Sequence, residues 1–216
     1  MKLLKTSCVA LCAIAATTLH LHAQQFTLYR TTNDFFNALN STNFWTENFS
    51  NLVPGNSTFD PLSYSNTPYG FQISNPLDTE VFVDSYGGKI GITTFTNTQS
   101  LFLTNLSPFT RAIGGYFYAN DANTIVSAPL SIDVITSAGL SNISTNIVST
   151  DINDYFFGFI TTDPSITFSS VATTSTDAFS TISEVTMSTV PEPSTYALLG
   201  LAAAGLAGYV IRRRRA

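Results

Sequence analysis

Leu130-Ser131-Ile132-Asp133-Val134 sets three apolar side chains at alternate positions, with a hydroxyl and a carboxylate between them. Successive side chains of a strand point to opposite faces, so a period of two marks a strand with one face buried and one wet. Working outward, the same reading applies to residues 80–83, 90–96, 101–103, 113–119, 155–161, 166–169 and 181–188. Pro, Gly, Asn and Asp recur between these segments at the spacing of turns. About eight strands of this length predict an all-β fold, a jelly-roll-like β-sandwich. One short helix is expected over 34–40, capped by Thr32 or Asn33, with Phe35 and Leu39 on one face.

The composition of this stretch needs weighing. From 24 to 190, Ser, Thr and Asn make up 65 of 167 residues, a proportion that also fits a disordered stalk. Disorder, however, goes with few aromatic and branched apolar residues, and all 17 phenylalanines fall here. A packed domain is the better reading. The stretch carries three basic residues (Arg30, Lys89, Arg111) against 13 acidic ones, a net charge of −10. Nucleic acid is excluded as a partner, because binding it requires cations facing phosphates. Cys8, Cys12, His20 and His22 are the chain's only cysteines and histidines. If the first 23 residues are removed, what remains has no thiol or imidazole for nucleophilic catalysis, zinc, a disulfide or a histidine switch.

The two ends have a different composition. Residues 1–23 combine Lys2 and Lys5, an apolar stretch centred on 9–16 and a small residue, Ala23, which together predict a signal peptide cut by signal peptidase between Ala23 and Gln24. Its apolar run is too short to span a bilayer comfortably. Residues 195–211 hold no charge and are followed directly by Arg212, Arg213, Arg214 and Arg215. At about 1.5 Å per residue such a helix covers roughly 25 Å, the lower limit for crossing the hydrocarbon core. Four arginines would stay cytoplasmic, which places the body outside and makes the helix an inner-membrane anchor. Small residues at Gly200, Ala204 and Gly208 permit close helix approach. Just before the span, Pro191 and Pro193 flank Glu192, enforcing an extended backbone that another protein can grip.

Val190-Pro191-Glu192-Pro193-Ser194-Thr195, a Leu/Gly/Ala span and a terminal arginine cluster closely resemble the PEP-CTERM sorting signal of Gram-negative bacteria, also labelled an ice-binding protein C-terminal domain. The resemblance implies recognition of Pro191, Glu192 and Pro193 by an exosortase, a membrane-embedded cysteine transpeptidase, with the membrane anchor temporary. The body looks like the β-sandwich found ahead of many such tails. It does so through Thr46-Glu47-Asn48-Phe49, the run Ala112-Ile113-Gly114-Gly115-Tyr116-Phe117-Tyr118-Ala119-Asn120-Asp121, the run Phe156-Phe157-Gly158-Phe159-Ile160-Thr161-Thr162-Asp163-Pro164, and Ala178-Phe179-Ser180-Thr181-Ile182. Proteins of this kind often carry Asp-Asn after the isoleucine, where this chain has Ser183-Glu184. The domain organisation expected is thus 1–23 signal peptide, 24–189 β-sandwich, and 190–216 sorting signal, with its motif at 190–195, span at 195–211 and arginines at 212–215.

Carboxylate pairs are the only catalytic inventory. Asp78 and Glu80 on one strand face would stand about 6.5–7 Å apart, suiting glycoside hydrolysis, although alternate acids on a strand are ordinarily its solvated face. Asp151, Asn153 and Asp154, or Asn120, Asp121 and Asn123, offer oxygen ligands for calcium; turn chemistry explains both sets more simply. Tyr116 and Tyr118 alternate onto one face and, with Trp45, Tyr69 and Tyr86, are candidates for stacking on sugar. Asn40, Asn48, Asn56, Asn105 and Asn142 begin Asn-x-Ser/Thr sequences, expected by chance in such a composition. The expectation is an exported surface or extracellular-matrix protein with a structural or adhesive body and no catalytic residue, metal or cofactor. A lectin-like module that binds extracellular polysaccharide is the alternative, and a glycoside-active enzyme is more remote.

Overall fold

Residues 25–39, 43–121, 124–145, 149 and 151–189 are described by a computed structural model. The expected signal peptide, the sorting motif, the expected membrane span and the arginine cluster lie outside them. Among the described residues no helix is long and apolar enough to cross a membrane. The elements in order are β1 (Phe26–Tyr29), α1 (Thr32–Leu39), β2 (Phe44–Glu47), β3 (Ser57–Phe59), β4 (Leu62–Asn66), β5 (Tyr69–Ser74), β6 (Glu80–Tyr86) and β7 (Lys89–Thr93). They continue with β8 (Ser100–Thr104), β9 (Ala112–Asn120), β10 (Leu130–Thr136), β11 (Gly139–Thr145), a single 3₁₀ turn (Ile152–Tyr155), β12 (Phe156–Thr161), β13 (Phe168–Ser175) and β14 (Phe179–Ser188).

The strands form two antiparallel sheets. The larger runs β1-β12-β9-β14-β7-β6-β3, with β2 also on β14, and the smaller runs β11-β10-β13-β8-β5-β4. From β7 onward the chain places β7-β14-β9-β12 in one sheet and β8-β13-β10-β11 in the other. That is the two-Greek-key winding of a jelly roll, extended at its flanks by β1 to β6. Ile113, Phe117, Phe157, Phe159 and Ile182 from the larger sheet meet Phe71, Ile73, Leu101, Leu103, Ile132, Val134 and Val171 from the smaller in one core. The alternation of β10 behaves as expected, with Leu130, Ile132 and Val134 buried and Ser131 and Asp133 on the outer face.

All eight expected strands are present, but the described residues form 14 rather than about eight. β1 to β5 and β11 were not expected. Four of them, β1, β3, β4 and β11, end a sheet, and β2 lies beside β14 off the main path. Edge strands need bury only one or two side chains, so their sequences stay polar; in β11, only Ile143 packs against the core. β5 is different: Tyr69, Phe71 and Ile73 are buried at alternate positions, the same period as β10.

The outer face of the larger sheet is covered in part by α1. Thr31, not Thr32 or Asn33, caps that helix: its Oγ1 accepts from the Asp34 amide at 3.1 Å and donates to the Asp34 carboxylate at 2.8 Å. An eight-residue helix is too short to persist on its own propensity. It is held by Phe35 and Leu39, both buried against the sheet. The seat for Phe35 consists of two glycines in register, Gly114 on β9 and Gly158 on β12. A Cβ on Gly158 would lie 2.3 Å from Phe35 Cδ2, and one on Gly114 would lie 3.0 Å from Phe35 Cε1. Gly115 is constrained from the other sheet neighbour, because a Cβ there would meet the Glu184 carbonyl at 2.9 Å. Glu184 sits in the bulge that shifts β14 against β9, at φ +49°.

A similar local device follows β2. The Glu47 carboxylate accepts from the Phe49 amide at 2.8 Å, holding Phe49 at φ +57° with its ring wholly buried. The Glu-x-Phe segment is therefore a turn that drops a ring into the core.

Gly158→Ala is expected to cost about 1–3 kcal/mol by overpacking, and Phe35→Ala about 3–5 kcal/mol by leaving a void. In urea denaturation of the full chain, the double variant should lose less than the sum, since the new methyl enters the space the ring vacates. Strict additivity would show that the two groups do not touch.

Candidate functional site

Tyr116 and Tyr118 do share a face, the outer face of β9, but they are only 4% and 0% exposed. Tyr116 packs edge-on to Phe156 at 5.5 Å, with Lys89 Nζ 4.3 Å above its ring. Tyr118 meets Tyr155 of the 3₁₀ turn at 6.3 Å. With Phe35, Leu39 and Ile152 they form a second core beneath α1 and the 3₁₀ turn. This corrects the expected sugar platform: alternation placed the rings on the right face, and the elements covering that face removed them from solvent. Trp45 lies against Phe71 at 5.5 Å, and the Tyr69 hydroxyl donates to the Asn43 carbonyl at 2.7 Å, so neither extends such a platform.

The acidic candidates are likewise engaged in local structure. Asp78 lies in the turn before β6, where its carboxylate accepts from the Thr79 amide at 2.8 Å, and Glu80 opens the strand. The two therefore do not share one strand face, so the pairing that the remote hydrolytic alternative needs is not formed. Asp151 caps the 3₁₀ turn by accepting from the Asn153 amide at 2.9 Å, and Asp154 accepts from Ser149 Oγ at 2.5 Å. Asp121 accepts from the Thr124 amide at 2.8 Å. These are turn bonds of the kind Asx residues make. Asn123 lies outside the described residues. Among the described residues, no three Asp, Glu, His or Cys side chains converge as metal ligands. Lys89 pairs with Glu184 across β7 and β14.

The outer face of the smaller sheet is where the Ser, Thr and Asn residues collect. Asn142 Nδ2 donates to Ser131 Oγ at 2.7 Å and to the Asp133 carboxylate, and Ser144 Oγ donates back to Asn142 Oδ1 at 3.1 Å. The Ser100 and Thr174 hydroxyls lie 2.6 Å apart, and Gln72 Nε2 donates to Ser63 Oγ at 2.9 Å. A hollow of about 410 Å³ opens at one end, lined by Ser131, Ser144, Thr145, Thr174 and Thr176 among others. This is an exposed, hydroxyl-rich sheet face able to exchange hydrogen bonds with water or a polyhydroxylated polymer. Of the Asn-x-Ser/Thr asparagines, Asn48, Asn56, Asn105 and Asn142 are exposed, and Asn40 lies outside the described residues.

Sequence reasoning missed a partnerless buried hydroxyl. Tyr118 Oη is buried with no hydrogen-bond partner among the described residues. Burial first, then Asp84 and Tyr86, push its phenol well above the usual tyrosine range. No pattern of spacing could reveal this, because it depends on Gly91 leaving room for the hydroxyl, 2.8 Å from where a Cβ would stand.

The expected sorting residues Pro191, Glu192 and Pro193, the expected cleavage pair Ala23 and Gln24, and Arg212 to Arg215 all lie outside the described residues. Residues 189–215 match the family model for the PEP-CTERM protein-sorting motif. The motif implies sorting by an exosortase and a route across the membrane to the surface. No curated protein matches the chain in sequence. Among solved structures, the chain is similar to a low affinity xylan binding module, CBM86, from the xylanolytic gut symbiont Roseburia intestinalis. That match has a TM-score of 0.31 at 10% identity and covers 62% of this chain and 95% of that one. Such an overlap assigns no residue of this chain a counterpart.

Tyr118→Phe removes a hydroxyl that has no partner, so stability at neutral pH should hold or rise by about 1 kcal/mol. In the unfolded chain this phenol ionises near pH 10; folded, it ionises higher. Its contribution is therefore complete below about pH 10 and is lost as pH rises beyond it. The variant should show a shallower alkaline loss of melting temperature, and a large drop at neutral pH would count against the orphaned hydroxyl.

Proposed function

We propose that this protein is exported, held briefly in the inner membrane by residues 195–211, and released to the cell surface or extracellular matrix by exosortase cleavage near Pro191-Glu192-Pro193. The observation that carries this reading is the sorting motif at 189–215, directly after the last strand of the sandwich. Signal peptidase would first cut between Ala23 and Gln24, leaving a body of net charge −10 outside the cytoplasm. The arginines at 212–215 oppose passage of the tail and gain roughly 1 kcal/mol each near anionic headgroups. The chain is then the substrate of the sorting enzyme.

The body in this reading is a structural or adhesive module without catalytic function. The hydroxyl-rich outer sheet face supports it, as an acidic, hydrated surface suited to multiple weak contacts within extracellular polymer. The burial of Tyr116 and Tyr118 argues against a lectin built on those rings. The hollow beside Ser131 and Thr174, where hydroxyls stand next to the apolar Pro129 and Leu130, is what favours the second reading, contact with extracellular polysaccharide.

Replacing Pro191, Glu192 and Pro193 together by Ala should leave the full-length protein in the inner membrane, read by fractionation and mass. Normal removal of the tail in that variant would sink the sorting reading. A polysaccharide array probed with the full chain separates the two readings of the body: a scaffold gives weak retention on many polymers, whereas a lectin-like module gives saturable binding to one.

A further inference from the structure

β14 ends at Ser188, paired with Phe44 of β2 on one side and Ala112 of β9 on the other. Backbone hydrogen bonds gather several turns around that point. The Arg111 amide donates to the Ser188 carbonyl at 3.0 Å, the Thr161 amide to the Arg111 carbonyl at 2.9 Å, and the Phe168 amide to the Thr110 carbonyl at 3.0 Å. The Ser107 amide donates to the Gly70 carbonyl at 3.0 Å, and the Ser137 amide to the Thr167 carbonyl at 2.8 Å. Residues 66–69, 105–111, 136–139 and 162–167 thus form one end of the body, the end at which the chain runs on toward the sorting segment.

Two properties set this end apart. Charge is the first. The four segments carry one cation, Arg111, and one anion, Asp163, whose carboxylate accepts from the Ser165 amide at 2.7 Å and from the Ser165 hydroxyl at 2.6 Å. The rest of the body holds two basic against twelve acidic residues, so the entire net charge of −10 lies elsewhere. The second property is an aromatic ring held outward. Leu106 packs against the core and Thr110 is wholly buried, which pins the turn between them, yet Phe109 is 70% exposed. Phe44, beside Ser188, is 41% exposed. The opposite end has apolar groups too: Phe59, Leu77 and a cavity of about 220 Å³ lined by Phe82, Phe95 and Phe179 among others. There, however, Asp60 follows Phe59, Asp78 follows Leu77 and Asp177 lies two residues before Phe179. Anionic lipid would repel that end.

We infer that the Ser188 end is a membrane-contact surface, with Phe109 entering the bilayer interface while residues 195–211 hold the precursor; the inference rests on that anchored reading. Length ties the two together. Residues 189–194 reach about 20 Å at most when fully extended, and Phe109 lies two residues from the amide that bonds Ser188. The end with the exposed ring is therefore the one that the anchor keeps nearest to lipid. A ring there buries apolar surface at the headgroup boundary, as the apolar residues of interfacial anchors do. An end without net charge also escapes the repulsion between an acidic body and anionic headgroups. The contact sets the body end-on and keeps residues 191–193 at the bilayer surface. One ring binds too weakly to retain the body, so the contact ends when the tail is removed.

The test uses the full chain reconstituted in vesicles of phosphatidylcholine and phosphatidylglycerol, with and without bromine on the acyl chains. Two variants are compared, Phe109→Trp and, at the far end, Phe59→Trp. Phe59 is 80% exposed, so at both positions one exposed ring replaces another and the melting temperature should hold. Flotation reads whether each chain stays with the vesicles. After subtraction of the emission of Trp45, the chain's one tryptophan, brominated lipid should quench Phe109→Trp about twofold and leave Phe59→Trp unchanged. Equal quenching of the two variants, or none in a Phe109→Trp chain that floats, would overturn the proposal and leave the anchoring reading standing. A chain that does not float with the vesicles would overturn the anchoring reading and this inference with it.

Discussion

Phe35 rests on bare backbone. Its ring lies where two glycines on adjacent strands face each other, and any side chain at Gly158 would occupy the same space. Because the contact is that close, the short helix can lie flat on the outer face of a sandwich that would otherwise be wet there. The consequence spreads along β9, whose nine residues are all buried, the odd-numbered ones toward the other sheet and the even-numbered ones toward α1 and the 3₁₀ turn. One end of the larger sheet thus has three layers and the other end has two. The buried tyrosines belong to the first region and the phenylalanine-lined cavity to the second.

The two outer faces divide the chemistry of the body. The outer face of the larger sheet carries the buried Tyr116 and Tyr118 with Thr93, Asn120 and Thr181, so it is shaped by packing. On the smaller sheet, Ser131, Asp133, Asn142 and Ser144 bond chiefly to one another across the β10–β11 pair, which keeps the surface polar without fixing a ligand geometry. That separation accounts for a composition in which abundant hydroxyls and 17 phenylalanines coexist. The hydroxyls do not dilute the core because the strand period sends them to the other face.

Much of this was legible in the chain, to a depth set by physics. A period of two identifies a half-buried strand, and it located eight of the 14 strands among the described residues. It also applies to Tyr69, Phe71 and Ile73, so β5 was readable, whereas β3 and β4 bury too little to leave a pattern. The same period gave the shared face of Tyr116 and Tyr118 but not its covering, since the lid comes from residues some 40 to 80 positions away in sequence. Asp78 failed for a simpler reason: it closes a turn from Asn75 that ends before the strand begins at Glu80. The glycines at 114, 115 and 158 were visible as part of a resemblance, and only the three-dimensional contacts with Phe35 and Glu184 give them a cause. The sorting signal was readable because its residue types and their order along the chain carry it, and residues 189–215 match the family model for it.

The placement of β14 has a mechanical side. This strand, the last before the sorting segment, lies inside the larger sheet, with β9 along one side and β7 and β2 along the other. A tether joined just after Ser188 therefore pulls on a strand that has no free edge from which bonds can be peeled singly. To yield, it must be drawn lengthwise from between its neighbours, past a bulge held by the Lys89–Glu184 pair. Load applied there enters the sandwich at a strand paired along both sides, and the body resists it as a plug resists extraction.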